Sequence, residues 1–367
     1  MTRKETDERF MRLALSLGRR GMGNCWPNPA VGCVLTQGDV IVGRGWTQPG
    51  GRPHAEPTAL AQAGPAAAGA TAYVTLEPCA HFGKTPPCAD ALISAGVARV
   101  VIAATDTDPR VAGQGIARLR DAGIEVLTGV CEAEALQDLK GFFLRLAEGR
   151  PILTLKLASS FDGKIATASG ESQWITGPAA RHHVHGLRHS HDAVMVGGGT
   201  ARADDPSLTV RGFGVVRQPV RVVVSRRLSM PLGGNLWNTA RDVPVWLCHG
   251  PDVSEEVAEA WQAQGAELIE CPLEGGGISV SGVMQALGAK GLTRVFCEGG
   301  GSLAASLLAA DLVDDLVGYT AGLAIGAEGQ PSLGPLGLSA LSEGPRFDLV
   351  EHRRIGPDLL HRWRRRA

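Results

Sequence analysis

His54-Ala55-Glu56, Pro78-Cys79 and Pro86-Pro87-Cys88 restrict what this chain can fold into more than any other feature. One imidazole and two thiols at this spacing suit a single metal ion, so three separated segments must meet at one point. Thr71 to Leu76 reads as a short buried strand that delivers Glu77-Pro78-Cys79 at its end. Cys88 opens an Ala/Leu/Ile helix running to about Ala95, and Pro57 suits the first turn of a helix ending at Ala63. A strand end and a helix start can converge in this way, and a helix N-terminus also stabilises thiolate and carboxylate charge.

Zinc held by three N/S ligands, here His54, Cys79 and Cys88, keeps a fourth position for water, which separates a catalytic site from a closed structural one. Water bound there ionises near neutral pH. Glu56 is then the acid/base that moves protons, not a ligand. This is the arrangement of zinc nucleobase deaminases, in a variant: eight residues separate the cysteines, where Pro-Cys-x-x-Cys is usual. Two other accounts compete. His-x-Glu arises by chance beside buried cysteines that act as small hydrophobes, and a closed structural zinc would need a fourth ligand, for which His81 is the nearby candidate.

The chain has 367 residues, enough for two domains with separate cores. Lys+Arg 36 against Asp+Glu 37 gives no global electrostatic case for nucleic acid. Arg362-Trp363-Arg364-Arg365-Arg366 reads as a solvated tail. The charged start has no apolar signal segment behind it, and no apolar run approaches membrane-spanning length. Free thiols with a metal site favour a reducing cytoplasm over a disulfide framework.

Strand-like and helix-like stretches alternate, which predicts an α/β fold. Helices are expected over 7–20, 116–122 and 132–147, and strands over 31–35, 40–42, 99–103 and 125–127. Glu148-Gly149-Arg150-Pro151 carries breaker chemistry, and beyond it the pattern restarts. Strands are predicted over 152–157, 194–196, 221–224, 244–247 and 293–297, with surface loops at 212–214 and 274–277. The strand ending at Cys297 runs through Glu298-Gly299-Gly300-Gly301-Ser302 into an Ala/Leu helix reaching Ala310. Glycines there allow a ligand close to the backbone, and a helix start offers N–H groups to phosphate. A plain tight connection would look the same. It is neither a Rossmann fingerprint nor a Walker loop.

Pro27-Asn28-Pro29-Ala30-Val31-Gly32, His54-Ala55-Glu56 and Thr75-Leu76-Glu77-Pro78-Cys79 through Gly83-Lys84-Thr85-Pro86-Pro87-Cys88 resemble the pyrimidine deaminase of riboflavin biosynthesis. Gly170-Glu171-Ser172-Gln173-Trp174-Ile175-Thr176, Ala203 to Arg211 and Glu298-Gly299-Gly300 resemble the reductase half of the same bifunctional proteins. The resemblance implies a zinc-dependent, cytidine-deaminase-like domain over 1–149 and a dihydrofolate-reductase-like domain using NADPH over 150–367. It places Asn28 and Lys84 on the deaminase substrate. Ala158, Trp174, Thr200, Asp204, Ser225, Gly300, Gly301 and Ser302 fall to NADPH, and Ser172, Arg188, Leu208, Arg211 and Glu298 to the reductase substrate. Arg188 and Arg211 would grip the ribose phosphate bidentately, and Glu298 would accept from sugar hydroxyls.

Three positions depart from the family pattern: Thr47 where His is frequent, Asp108 where Asn is common, and Val224 before Ser225 where Asp is usual. The expected partner is a phosphorylated pyrimidine ribotide, with no nucleic acid and no membrane; a homo-oligomer stays open. A nucleic-acid editing deaminase would instead need a basic, aromatic face, and the aromatic content is 5%. A zinc-stabilised binding module would have no need of Glu56.

Overall fold

The computed structural model describes residues 2–83, 85–108 and 112–366, in two compact units, 1–148 and 149–367. In the first unit α1 (Arg3–Gly18) precedes β1 (Gly32–Gln37) and β2 (Val40–Trp46). Then follow α2 (Ala55–Ala63), β3 (Thr71–Leu76), α3 (Cys88–Ser94), β4 (Arg99–Ala104), α4 (Gln114–Asp121), β5 (Glu125–Thr128) and α5 (Glu132–Glu148). Helix α1 starts earlier than its apolar stripe suggests. Thr2 and Glu5 form a capping box, with the Thr2 amide donating to the Glu5 carboxylate at 2.8 Å, and the cap sets the boundary.

The five strands lie in the order β2-β1-β3-β4-β5. Strand β1 is antiparallel to both neighbours, while β3, β4 and β5 run parallel. Strands β3 and β4 are buried almost throughout, as the middle of a covered parallel sheet must be, and so read as unbroken apolar runs. Phe10, Met11, Ala14 and Leu15 of α1 share one core with Val34, Val74 and Val101.

The second unit opens with β6 (Ile152–Ser159), β7 (Lys164–Ala166), α6 (Pro178–His189), β8 (Ala193–Gly197), α7 (Gly198–Asp204) and β9 (Val220–Val224). It continues with α8 (Asn235–Asn238), β10 (Val245–His249), α9 (Glu255–Ala263), β11 (Glu267–Glu270), β12 (Leu273–Glu274), β13 (Gly277–Ile278) and α10 (Val280–Ala289). Strand β14 (Arg294–Cys297), α11 (Gly301–Ala309), β15 (Asp315–Thr320), β16 (Gln330–Pro331), β17 (Phe347–Ile355) and β18 (Asp358–Arg365) complete it. Nine strands form one sheet in the order β11-β10-β9-β8-β14-β6-β15-β18-β17. Pairing is parallel from β11 to β15 and antiparallel at β15/β18 and β18/β17.

One expectation is corrected here. The arginine run 362–366 is no tail: most of it lies in β18, hydrogen-bonded between β15 and β17. Its charges find carboxylates on the neighbouring strands, Arg364 with Asp315 and Arg362 with Glu351, so a strand can carry them. The surface loop expected at 274–277 is the exposed tip of the short β12–β13 hairpin, with Gly275 and Gly276 at positive φ as such a turn demands.

Candidate functional site

His54 caps α2 with an extended backbone, Cys88 is the first residue of α3, and Cys79 lies just beyond β3. His54 Nδ1 stands 3.3 Å from Cys88 Sγ and 3.8 Å from Cys79 Sγ. The three ligand atoms fall within 4.8 Å of one another, and among the described residues no other such group of donors occurs. Exposed His81 is not part of it. One sulfur is prepared as thiolate: the Cys79 thiol is pulled down to about 4, first by the hydrogen bond from Cys88, against burial, and further by His54. Its partner Cys88 is pushed up by that same bond and by burial. The Cys88 amide also donates to Cys79 Sγ at 3.3 Å. One imidazole and two soft sulfurs, closely clustered, fit zinc. The Asn28 side-chain nitrogen lies 3.2 Å from His54 Nε2 and donates to the Gly51 carbonyl at 2.9 Å, so Asn28 stands directly beside the imidazole.

Glu56 sits in the first turn of α2 and is 3% exposed. Burial first, then the charge of Cys79, pushes its carboxyl up to about 7. That is the range an acid/base needs in order to take and return a proton near neutral pH. A cavity of about 470 Å³ opens over these groups, with His54, Glu56, Cys79, Asn28, Thr47 and Asp106 in its wall. Thr47 is buried, and its hydroxyl accepts from the Val31 amide at 3.0 Å. Asp108 also lines the cavity, so two of the three departures from the family pattern fall at this site. Lys84 lies outside the described residues.

Glu77, quoted above only as part of a motif, turns out to organise this end of the sheet. Its carboxylate is 5% exposed and accepts from the amides of Asp106 (3.3 Å), Gly113 (3.0 Å), Gly115 (2.9 Å) and Ile116 (3.3 Å). The last two belong to the first turn of α4, whose N-terminus attracts a negative charge. Gly115 makes the approach feasible, because a Cβ there would stand 1.9 Å from the Pro78 carbonyl oxygen. A glutamate ending an apolar strand, next to the metal motif, was the available signal.

In the second unit, Arg188 on α6 forms a two-point ion pair with Glu298, including Nη2 to Oε2 at 3.0 Å, and its Nη1 donates to the Thr209 carbonyl at 2.8 Å. Arg188 therefore faces a carboxylate and a carbonyl, while Arg211 is exposed and its amide donates to His185 Nδ1 at 3.2 Å. Burial opposes the charge on Glu298, but Arg188 outweighs it and holds the carboxyl below its usual range. Leu208 has positive φ and a side chain packed in the core, so what it can offer a ligand is backbone. Lys156, on β6, was not singled out by sequence. Burial depresses its ammonium, opposed only in part by the charge of Glu298 and helped by that of Arg188. A lone lysine inside an apolar strand run was its signal.

Thr200 Oγ1 accepts from the Gly300 amide at 3.1 Å, joining α7 to the turn before α11. Gly300 has φ +23°, and a Cβ there would lie 2.8 Å from Thr200 Oγ1. Gly301 and Ser302 form the start of α11. Ser225 is buried after β9 and packs near Gly198 at the start of α7, where Asp204 is the last residue. Ala158 pairs with Tyr319 across β6 and β15. Trp174 is 68% exposed, with the Arg181 guanidinium 4.6 Å from its ring centre, and Ser172 is half-buried nearby in sequence. A helix start without side chains and a wide aromatic face suit the phosphate and ring of a nicotinamide dinucleotide.

Comparison with known proteins separates the same two parts. Residues 4–104 match the cytidine and deoxycytidylate deaminase zinc-binding region, and residues 151–361 match the RibD C-terminal domain. The class is thus a zinc-dependent deaminase fused to a reductase of dihydrofolate-reductase-like fold. The riboflavin biosynthesis protein RibD of Escherichia coli is 42% identical, over 96% of this chain and 98% of its own length. That of Aquifex aeolicus is 39% identical, over 97% and 98%. The Acinetobacter baumannii RibD structure (form 1) superposes with TM-score 0.88 at 37% identity, covering 99% of this chain and 100% of the other. A Thermotoga maritima structure titled diaminohydroxyphosphoribosylaminopyrimidine deaminase/5-amino-6-(5-phosphoribosylamino)uracil reductase gives 0.86 at 33%, with coverage of 99% and 100%. The chain belongs to the RibD family of bifunctional enzymes of riboflavin biosynthesis, which use zinc in the deaminase half and NADPH in the reductase half.

Proposed function

We propose that residues 1–149 deaminate 2,5-diamino-6-ribosylamino-4(3H)-pyrimidinone 5′-phosphate and that residues 150–367 reduce the resulting 5-amino-6-(5-phosphoribosylamino)uracil to its ribitylamino product. The convergence of His54, Cys79 and Cys88 beside buried Glu56, in a cavity large enough for a nucleotide-sized ligand, carries this reading. Zinc held there supplies a Lewis acid that makes water nucleophilic near neutral pH. Glu56 takes a proton from the attacking water, gives it to the ring nitrogen, and then serves the departing amino group, which leaves as ammonia. Asn28, beside the ring of His54, orients the ligand or the base, and Lys84 belongs to the substrate as well.

In the reductase half, NADPH supplies a hydride. Thr200, Asp204, Ser225, Trp174, Ala158 and the Gly300–Ser302 helix start hold it. Ser172, Arg188, Arg211, Glu298 and the backbone at Leu208 hold the ribotide. The Arg188–Glu298 pair shifts the expected division of labour: Arg188 fixes Glu298 in its ionised form, and Arg211 is the arginine that remains exposed for phosphate.

The substrate is a small molecule, and nucleic acid has no role in this scheme. A homo-oligomer is compatible with it. No helix among the described residues is long and apolar enough to cross a membrane. The eight free cysteines support a cytoplasmic location. Purified protein given zinc, the diaminopyrimidine ribotide and NADPH tests both halves: ammonia release and loss of reduced-nicotinamide absorbance are expected. Absence of either removes the corresponding activity.

A further inference from the structure

We propose that Arg52 recognises the 5′-phosphate of the deaminase substrate, which makes it a specificity-determining residue outside the zinc and proton machinery. The inference rests on the deaminase reading above. A ribotide brings a phosphate dianion into a cavity whose wall already carries Glu56, Glu77, Asp106 and Asp108. A phosphate there calls for cations; besides Lys84, which lies outside the described residues, the arginines lining this cavity are Arg52 and Arg145.

Arg52 has the geometry for the task. Its backbone is extended, with φ −148° and ψ 147°. Arg52 and His54 both line the cavity, while Pro53 between them is exposed. Its guanidinium donates through Nη1 to the Thr85 hydroxyl, and Gly83 lies beside Nη2, where a Cβ would stand 3.3 Å away. Among the described residues it makes no ion pair with a carboxylate, whereas Arg99 and Arg118 of the same unit are tied to Asp7 and Asp90. A half-buried guanidinium whose one hydrogen-bond partner is a neutral hydroxyl keeps N–H donors for a phosphate, which it can bind at two points.

The test compares the ribotide with its dephosphorylated riboside in the zinc-loaded full-length protein, for the parent and for Arg52→Gln and Arg52→Lys. The quantity read is the ratio of kcat/KM for ribotide over riboside. Loss of hydrogen bonds to a charged group is expected to lower that ratio by about tenfold or more in Arg52→Gln, with Arg52→Lys intermediate because it keeps charge and loses the fork. A ratio that stays at the parent value, whether both substrates slow equally or neither does, overturns the proposal; equal slowing would mean that Arg52 holds the Thr85 loop. A second arm does not depend on turnover. Ribose 5-phosphate binding is measured by calorimetry, and Arg52→Gln should remove a component that the parent shows. Parent protein that deaminates neither substrate yet loses this component on substitution would defeat the deaminase reading and keep the phosphate site. Identical binding heats in parent and variant defeat the phosphate site itself.

Discussion

Replacing Glu77 should cost the deaminase unit more stability than its place outside the chemistry suggests. The carboxylate accepts from four backbone amides, two of them at 2.9 and 3.0 Å and two at 3.3 Å. A hydrogen bond to a charged group contributes about 1.5–3 kcal/mol net. Such bonds do not add when they share one acceptor, so the two shorter ones at the lower figure give about 3 kcal/mol. The negative charge at the start of α4 adds about 0.3–1 kcal/mol. Glu77→Ala is therefore expected to lose about 3–4 kcal/mol. Glu77→Gln should lose roughly half, since it keeps one accepting oxygen and turns an N–H₂ toward amides. Urea unfolding, with zinc release as the probe, isolates this unit from the other, because a single transition for the whole chain would not be interpretable. The affected strand end carries Pro78 and Cys79, so zinc retention against a chelator should fall in parallel. An alanine variant within about 0.5 kcal/mol of the parent, the range of an ordinary surface change, would refute the account.

Glu56→Gln should keep zinc and the reductase activity while deamination falls by a factor of about 10² to 10⁴; near-normal ammonia release would reject its role. Cys88→Ala should leave zinc substoichiometric by elemental analysis, and full occupancy would exclude it as a ligand. Gly300→Val should weaken NADPH binding, measured by fluorescence titration, because its φ of +23° is strained for valine and the new Cβ would meet Thr200. Unchanged affinity would remove this turn from the cofactor site. Burial alone would raise the Asp7 carboxyl, but hydrogen bonds from Arg99 and Tyr73 overcome it and hold it below 3.8. Its contribution to stability is thus present above that value and lost as pH falls through the lower, folded one. Acid unfolding curves of Asp7→Asn should lack this loss, and curves parallel to the parent's would contradict the assignment.

The metal motif was legible because its residues are rare, chemically distinct and bound to element ends that propensity also marks. Strand Thr71–Leu76 falls where the apolar run and flanking breakers put it. Residues whose role depends on partners far away in sequence were not legible. Nothing in the sequence around Arg188 announces its pairing with Glu298, which is distant along the chain. Leu208 reads as a contact residue, although its side chain belongs to a core assembled from β8, β9 and β10. The arginines of β18 defeat hydropathy, since a strand between two others can carry charge wherever acids from neighbouring strands face it.

The strand order of the second unit has a consequence for how the chain acquires its shape. Strand β6 is the first of that unit in sequence, yet its neighbours are β14 and β15, so residues 152–159 wait for residues 294–320 before they have a partner. Strand β15 in turn keeps an open edge until residues 358–365 arrive. The first unit has no such delay: β1 pairs with β2 across a short turn, and β3 follows at once. During synthesis the metal-binding half can therefore be complete while the central strand of the other half is still bare, a long-range closure that slows folding and exposes apolar edge to aggregation. Chaperone dependence is expected to concentrate in the reductase half, set by connectivity rather than by any single weak contact.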